Sequence, residues 1–285
     1  MKLLETIKYL PVLLNPLLVL SVYFMVSQAT GDQEWAGLTS LITASGFKIT
    51  VGMYAYFLTN ILGLVFIFSA LGFLFKTLRT RQKVYFVSAS GLGSLAVFTH
   101  PWTFAQYYVA TALFLFYIYF REKRYSESLI VLAYLVITGL VDVLKGAIGG
   151  LGAYGAISST VPGLIGIWEF WGNNIFAFRQ MYGGLLSNTV LLVFAVFGAC
   201  LLNRRRSYQF FLTLLLLVSL IFYLVVDGGA QTKLLYNIPF SVIASLSILF
   251  LVRCTAFDRR KKMIVLLFTC NYMMVYLLRS LANLV

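Results

Sequence analysis

Few side chains in this sequence can do chemistry: nine acids and a single histidine in 285 residues. Asp32 and Glu34 stand two apart just after Gly31. Such a pair can share a divalent cation, or one carboxylate can take a proton while the other positions it. They are the candidate catalytic residues and the candidate ligands for any divalent ion. His100 lies in Phe98-Thr99-His100-Pro101-Trp102-Thr103, where a helix-starting proline follows it and a neutral imidazole can donate to a phosphate or orient a carboxylate. Glu169 and Arg179 sit among Trp168, Phe170, Trp171, Phe176 and Phe178, a mixture that suits a helix or lid lying in the membrane interface against a lipid-linked substrate. Lys233 and Tyr236 follow the Gly-rich turn after Asp227, and a lysine beside flexible backbone can hold a phosphate as a point charge. Asp142 and Lys145, three apart on one helical face, read equally as a structural ion pair or as ligand-facing groups. Each candidate also has a plain structural reading: a solvated loop start, an anchored hairpin, an aromatic belt, a snorkelling span end.

The elements that must position these residues follow from composition. The chain is 61% hydrophobic and 11% charged, with mean hydropathy +0.90, against about 25% charged in a soluble domain. Apolar runs long enough to cross about 30 Å of hydrocarbon occur at about 9–27, 51–75, 84–99, 102–120, 128–150, 184–202, 207–226, 234–252 and 263–283. The expectation is an all-α polytopic transmembrane bundle of about nine spans, forming one membrane domain over 1–285.

The net charge of +13 raises nucleic acid or anionic lipid as partners, and the positions of the cations decide between them. Basic segments at 76–83, 121–124, 204–206 and 253–262 fall on every second connection. With Lys2 and Lys8, that side holds 17 of the 22 cations and four acids. The positive-inside rule makes it cytoplasmic, giving N-in/C-out with the candidate site residues on the opposite face. The excess charge serves topology and headgroup contact, so nucleic acid is excluded as the partner and membrane lipid retained. Lys2, Lys8, the first apolar run and Ser27-Gln28-Ala29 also fit a signal peptide, although the run is long for one and contains Pro11 and Pro16.

Cys200, Cys254 and Cys270 form no CxxC or exported disulfide framework. One histidine cannot build a His-based zinc site. Phosphate-loop and dinucleotide fingerprints are absent, and the glycine clusters at 91–93 and 149–152 read as close helix packing.

Three segments resemble parts of prokaryotic multi-pass glycosyltransferases of the C-type (GT-C) fold. They are Leu95-Ala-Val-Phe-Thr99-His100-Pro101-Trp102-Thr103, Lys233-Leu-Leu-Tyr236-Asn237-Ile-Pro239, and Gly52-Met-Tyr54-Ala-Tyr56. The resemblance covers roughly residues 50–120 and 227–252. It implies a polyprenyl-phosphate-linked sugar as donor, reaction on the non-cytoplasmic face of a cell membrane, and acids of the first outer loop as base or metal ligand. Carried over, Asp32 and Glu34 become the catalytic carboxylates and Lys233 the donor-phosphate contact. The residues themselves add His100, Trp102, Glu169, Arg179 and Tyr236 to Lys233 as the candidate substrate-binding set. The first loop, about twenty residues, is much shorter than the family's, so the chain can also correspond to the later part of a longer relative.

Two functions of different class follow. One is an inverting membrane glycosyltransferase, in which a carboxylate takes the acceptor proton and outer cations stabilise the departing lipid phosphate. The other is a non-catalytic multi-pass protein: a degenerate relative, an assembly partner or a lipid-handling subunit. A transporter is the weakest class, because only Asp142 and Lys145 are charged within a span. Convergence of Asp32, Glu34, His100, Arg179 and Lys233 on one cavity distinguishes the first from the rest.

Overall fold

The computed structural model describes residues 2–46, 58–149, 152, 171–172, 175, 189–203, 206–225, 229–254 and 258–282. Among these the chain is all-helical, without strands. The helices are α1 (Lys2–Thr30), α2 (Gln33–Ala44), α3 (Leu58–Thr80), α4 (Lys83–Thr99), α5 (Pro101–Phe116), α6 (Tyr125–Ala147), α7 (Thr189–Leu201), α8 (Ser207–Val225), α9 (Gly229–Asn237), α10 (Phe240–Arg253) and α11 (Arg259–Ala282). A five-residue π turn, Tyr117–Arg121, extends α5.

Four stretches are long and apolar enough to cross a bilayer: Leu10–Thr30, Leu58–Thr80, Pro101–Arg121 and Tyr125–Ala147. The chain thus has the helices of a membrane protein. Their apolar residues run nearly all round, as expected where one side meets protein and the other lipid. Helix α3 sits at the centre, with Ile61, Leu64, Phe68, Leu71 and Leu74 fully buried. Phe68 meets Tyr107 of α5 edge-on at 5.7 Å, and Phe114 of α5 meets Phe211 of α8 at 5.6 Å.

The sequence places a loop at 29–49, but the structure has a helix there. Gly31, with φ of 73°, ends α1 in the left-handed conformation that glycine adopts without strain. Asp32 then caps α2, its side chain accepting from the Trp35 amide at 3.0 Å. At twelve residues α2 rises only about 18 Å, too short to register as a span. It is nevertheless inside the bundle, because α10 satisfies its polar groups. Thr39 shares a hydrogen bond with Ser245 at 2.6 Å, and Thr43 donates to Ser241 at 2.7 Å. Trp35 Nε1 reaches Val242 O at 3.0 Å and Ser245 Oγ at 2.9 Å. The pairs rise in α2 as they fall in α10, so the two helices are antiparallel.

This extra pass alters the topology expected of the first helices. Phe24 packs on Phe73 at 4.7 Å, and Arg79 donates to the carbonyl of Gln28. Positions rise together along both helices, so α1 and α3 run parallel. The start of α1, with Lys2 and Lys8, is therefore at the bundle end opposite the basic connections. The sequence grouped those lysines with the other cations because it took α1 and the next long helix as consecutive, antiparallel spans.

Candidate functional site

The two candidate carboxylates do not face an outer cavity. Asp32 Oδ2 accepts from Arg253 Nη1 at 2.7 Å, and Oδ1 from Nη2 at 3.1 Å. Glu34 Oε2 accepts from the same guanidinium, from Nη2 at 2.5 Å and Nε at 3.2 Å. Arg253 ends α10 at the basic end of the bundle, so the placement of Asp32 and Glu34 on the opposite face is overturned. The cause is again α2, whose N-terminus must return to the end at which α1 finishes. Chemically, the Arg253 hydrogen bonds hold the Asp32 carboxyl below its usual range, which makes it a poor proton acceptor. Both Asp32 oxygens are already engaged. Among the described residues no group of three or more His, Cys, Asp or Glu is arranged to hold a metal ion.

The other end of the bundle gathers a different set. Asn237 closes α9, and Pro239 two residues on has no N–H to continue the helix. The carbonyls left over at this break are taken by α5: Gln106 Nε2 donates to Leu234 O at 3.3 Å, and Tyr107 hydroxyl to Asn237 O at 2.9 Å. The Asn237 side chain is equally engaged. Its Oδ1 accepts from Asn60 of α3 at 3.0 Å and lies 3.2 Å from the Thr103 hydroxyl, while its Nδ2 donates to Gln106 Oε1 at 3.0 Å. Gln106 also donates to Ser219 of α8 at 2.5 Å. All of these groups are buried. Such a network, fully paired, fixes the relative register of α3, α5, α8 and α9.

His100 forms the rim of this network. It caps α5, with Nδ1 accepting from the Thr103 amide at 3.2 Å, and Pro101 takes the first helical position. An accepting Nδ1 places the proton of the neutral ring on Nε2. Burial first, then the charges of Lys233 and Lys145, push the His100 pKa down to about 4. The ring is therefore neutral near pH 7, a donor rather than a cation. Lys145 donates to Val97 O at the end of α4, 2.7 Å away. Two lysines and one imidazole donor thus share the end of the bundle where the α9–α10 break lies.

The expected constellation is accordingly divided. His100 and Lys233 come together; Asp32 and Glu34 lie at the far end of α10, whose fourteen residues span about 21 Å. Trp102 is buried, edge-on to Phe222 at 6.4 Å. Tyr236 is fully buried in the core. Glu169 and Arg179 lie outside the described residues. Asn60, Gln106 and Ser219 were not singled out. Their signal was available, since uncharged amides within apolar runs must find partners inside the bundle. Compared with family models, with curated proteins and with solved structures, the chain matches none.

Proposed function

We propose that this chain is a multi-pass cell-membrane protein that holds the phosphate of a polyprenyl-phosphate-linked sugar at the end of the bundle bearing His100, Lys145 and Lys233. One observation carries the reading. Two of the three segments on which the resemblance to GT-C glycosyltransferases rests, 95–103 and 233–239, meet directly: Thr103 bonds to Asn237, and Gln106 and Tyr107, the next turn of α5, bond to Asn237 as well. At this end the charges of Lys145 and Lys233 act on the buried, neutral His100, and lysines suit a lipid phosphate as point charges. The positive-inside rule makes the opposite, basic end cytoplasmic. On this reading the phosphate end is non-cytoplasmic, and α1 starts there, which replaces the N-in orientation while keeping C-out.

Sugar transfer also needs a base at the same end. Asp32 and Glu34 are too far away to serve, whereas Asp142 of α6 is a described carboxylate near Lys145. The second reading, a non-catalytic lipid-handling or assembly subunit, is favoured by the engagement of Asp32 and Glu34 with Arg253. The test is a liposome reconstitution with polyprenyl-phosphate sugars as donors. Transfer that is lost in Asp142→Asn supports the enzyme; donor binding without transfer supports the lipid-handling subunit. Absence of both overturns the proposal.

A further inference from the structure

The basic end of the bundle, which the sequence read as a signal of topology and of contact with headgroups, contains a cavity of about 220 Å³. At about 30 Å³ of liquid volume per water, that is room for roughly seven waters. Five helices meet around it. Its polar lining is Gln28 of α1, Arg79 of α3, Arg124 and Glu127 at the start of α6, and Ser207 and Tyr208 at the start of α8. Phe75 and Phe114 supply aromatic wall.

The charges around this cavity do not cancel among the described residues. Glu127 is buried and takes a guanidinium on each oxygen, Arg81 at 2.8 Å on Oε1 and Arg124 on Oε2. Glu122 takes Arg124 at 3.0 Å and the Ser207 hydroxyl at 2.7 Å. Two carboxylates thereby neutralise Arg81 and Arg124. Arg79 is left with the neutral carbonyl of Gln28 as its described partner. Tyr208 accepts from Gln209 at 3.1 Å, which leaves its own O–H to donate. A planar guanidinium, a second guanidinium held in place by two acids and a phenol donor, over aromatic walls, match the geometry and charge of a phosphate group. The fixed carboxylates matter too: they order Arg124 in advance, so less side-chain freedom is lost on binding.

We infer that this cavity binds a phosphate-bearing anion, with Arg79 as the principal contact and Arg124 and Tyr208 flanking it. The site is independent of the phosphate end described above and lies at the opposite end of the bundle. The shared chemistry has two sources, an anionic lipid headgroup or a free phosphate monoester.

The test uses the full chain in nanodiscs of phosphatidylcholine alone or with phosphatidic acid, and separately in detergent with glycerol phosphate. Binding is read by retention of the anion in native mass spectrometry and by the rise in Tm. The wild type is expected to retain one of the two probes: phosphatidic acid identifies a lipid site, glycerol phosphate a soluble one. Arg79→Gln should weaken that binding about tenfold or more, the loss of one charge-assisted contact. Lys83→Gln, a cation of the same end outside the cavity, should leave it unchanged. Arg79→Lys keeps the charge without the fork and should fall between, and it serves if Arg79→Gln does not fold. Retention of neither probe by the wild type, or equal loss in Arg79→Gln and Lys83→Gln, overturns the proposal.

Discussion

Arg253 holds Asp32 through two hydrogen bonds of 2.7 and 3.1 Å, tying the last residue of α10 to the cap of α2. The pair closes one end of an antiparallel contact that Trp35, Thr39 and Thr43 continue toward the other end. Its consequence is structural. A carboxylate that caps a helix and pairs with a guanidinium contributes to holding α2 in the bundle. Asp32→Ala should destabilise the protein by about 1 kcal/mol for the lost cap, with the loss of the exposed pair adding little. Glu34→Gln should change stability less than Asp32→Ala, because Glu34 is 73% exposed. Thermal denaturation in a fixed detergent measures both. A larger effect from Glu34 would contradict the assignment.

The same pair has a pH dependence. The folded-state pKa of Asp32 is lowered, chiefly by its hydrogen bonds to Arg253, so the unfolded chain binds its proton more readily. The stabilisation is present above the ordinary carboxylate range and disappears as pH falls through the folded value. Removing Arg253 should therefore flatten the acid limb of a Tm-against-pH curve. An unchanged acid limb in Arg253→Ala would show that the pairing does not operate in solution.

His100 acts in a higher window. Its pKa is pushed from 6.5 to about 4, mainly by burial and then by Lys233 and Lys145. Below pH 6.5 the unfolded chain binds a proton that the folded one refuses, so stability falls between pH 6.5 and 4, by about 3 kcal/mol in the limit. Replacing His100 by Asn, which retains a capping acceptor, should remove that slope. Persistence of the slope in His100→Asn would place its origin elsewhere.

Asn60 and Asn237 test the buried network. Either change to Ala strands a buried partner and should cost about 1–3 kcal/mol. Because the two share the hydrogen bond at 3.0 Å, the double variant should cost less than the two single costs added together. Strict additivity would argue against the contact.

Gly198 of α7 packs on α10 so closely that a Cβ would collide with the carbonyl oxygen of Ile243 and meet Ser247 Oγ at 2.8 Å. Backbone cannot yield there as a flexible side chain would. Gly198→Ala should destabilise by about 1–3 kcal/mol through overpacking, despite alanine's better helix propensity. A neutral or stabilising effect would mean that α7 and α10 are farther apart.

Much of the membrane character was legible because it rests on sums. Long apolar runs and the alternation of basic connections each involve many residues, and Leu58–Thr80 or Tyr125–Ala147 can be read from hydropathy alone. Helix α2 was not legible. Its twelve residues carry Thr39, Thr43 and Trp35, whose polar atoms are satisfied only by Ser241, Ser245 and Val242, two hundred positions away. Missing it reversed α1 and placed Asp32 and Glu34 at the wrong end. Of the candidate site, His100 and Lys233 were legible by residue type and position near a break, whereas Asn237 became prominent only when its four partners from two helices were in view. Spacing in sequence could not show that Asp32 and His100 lie at opposite ends of one helix length.

The central claim is that phosphate is held at the His100 and Lys233 end, with Asp32 and Glu34 serving structure. It is tested most directly by the affinity of the reconstituted protein for a polyprenyl phosphate, in the wild type, in Lys233→Gln and in the double variant Asp32→Asn with Glu34→Gln. The account predicts about tenfold or more weaker binding in Lys233→Gln and wild-type affinity in the folded double variant. Loss of binding in the double variant with Lys233→Gln unaffected would contradict it.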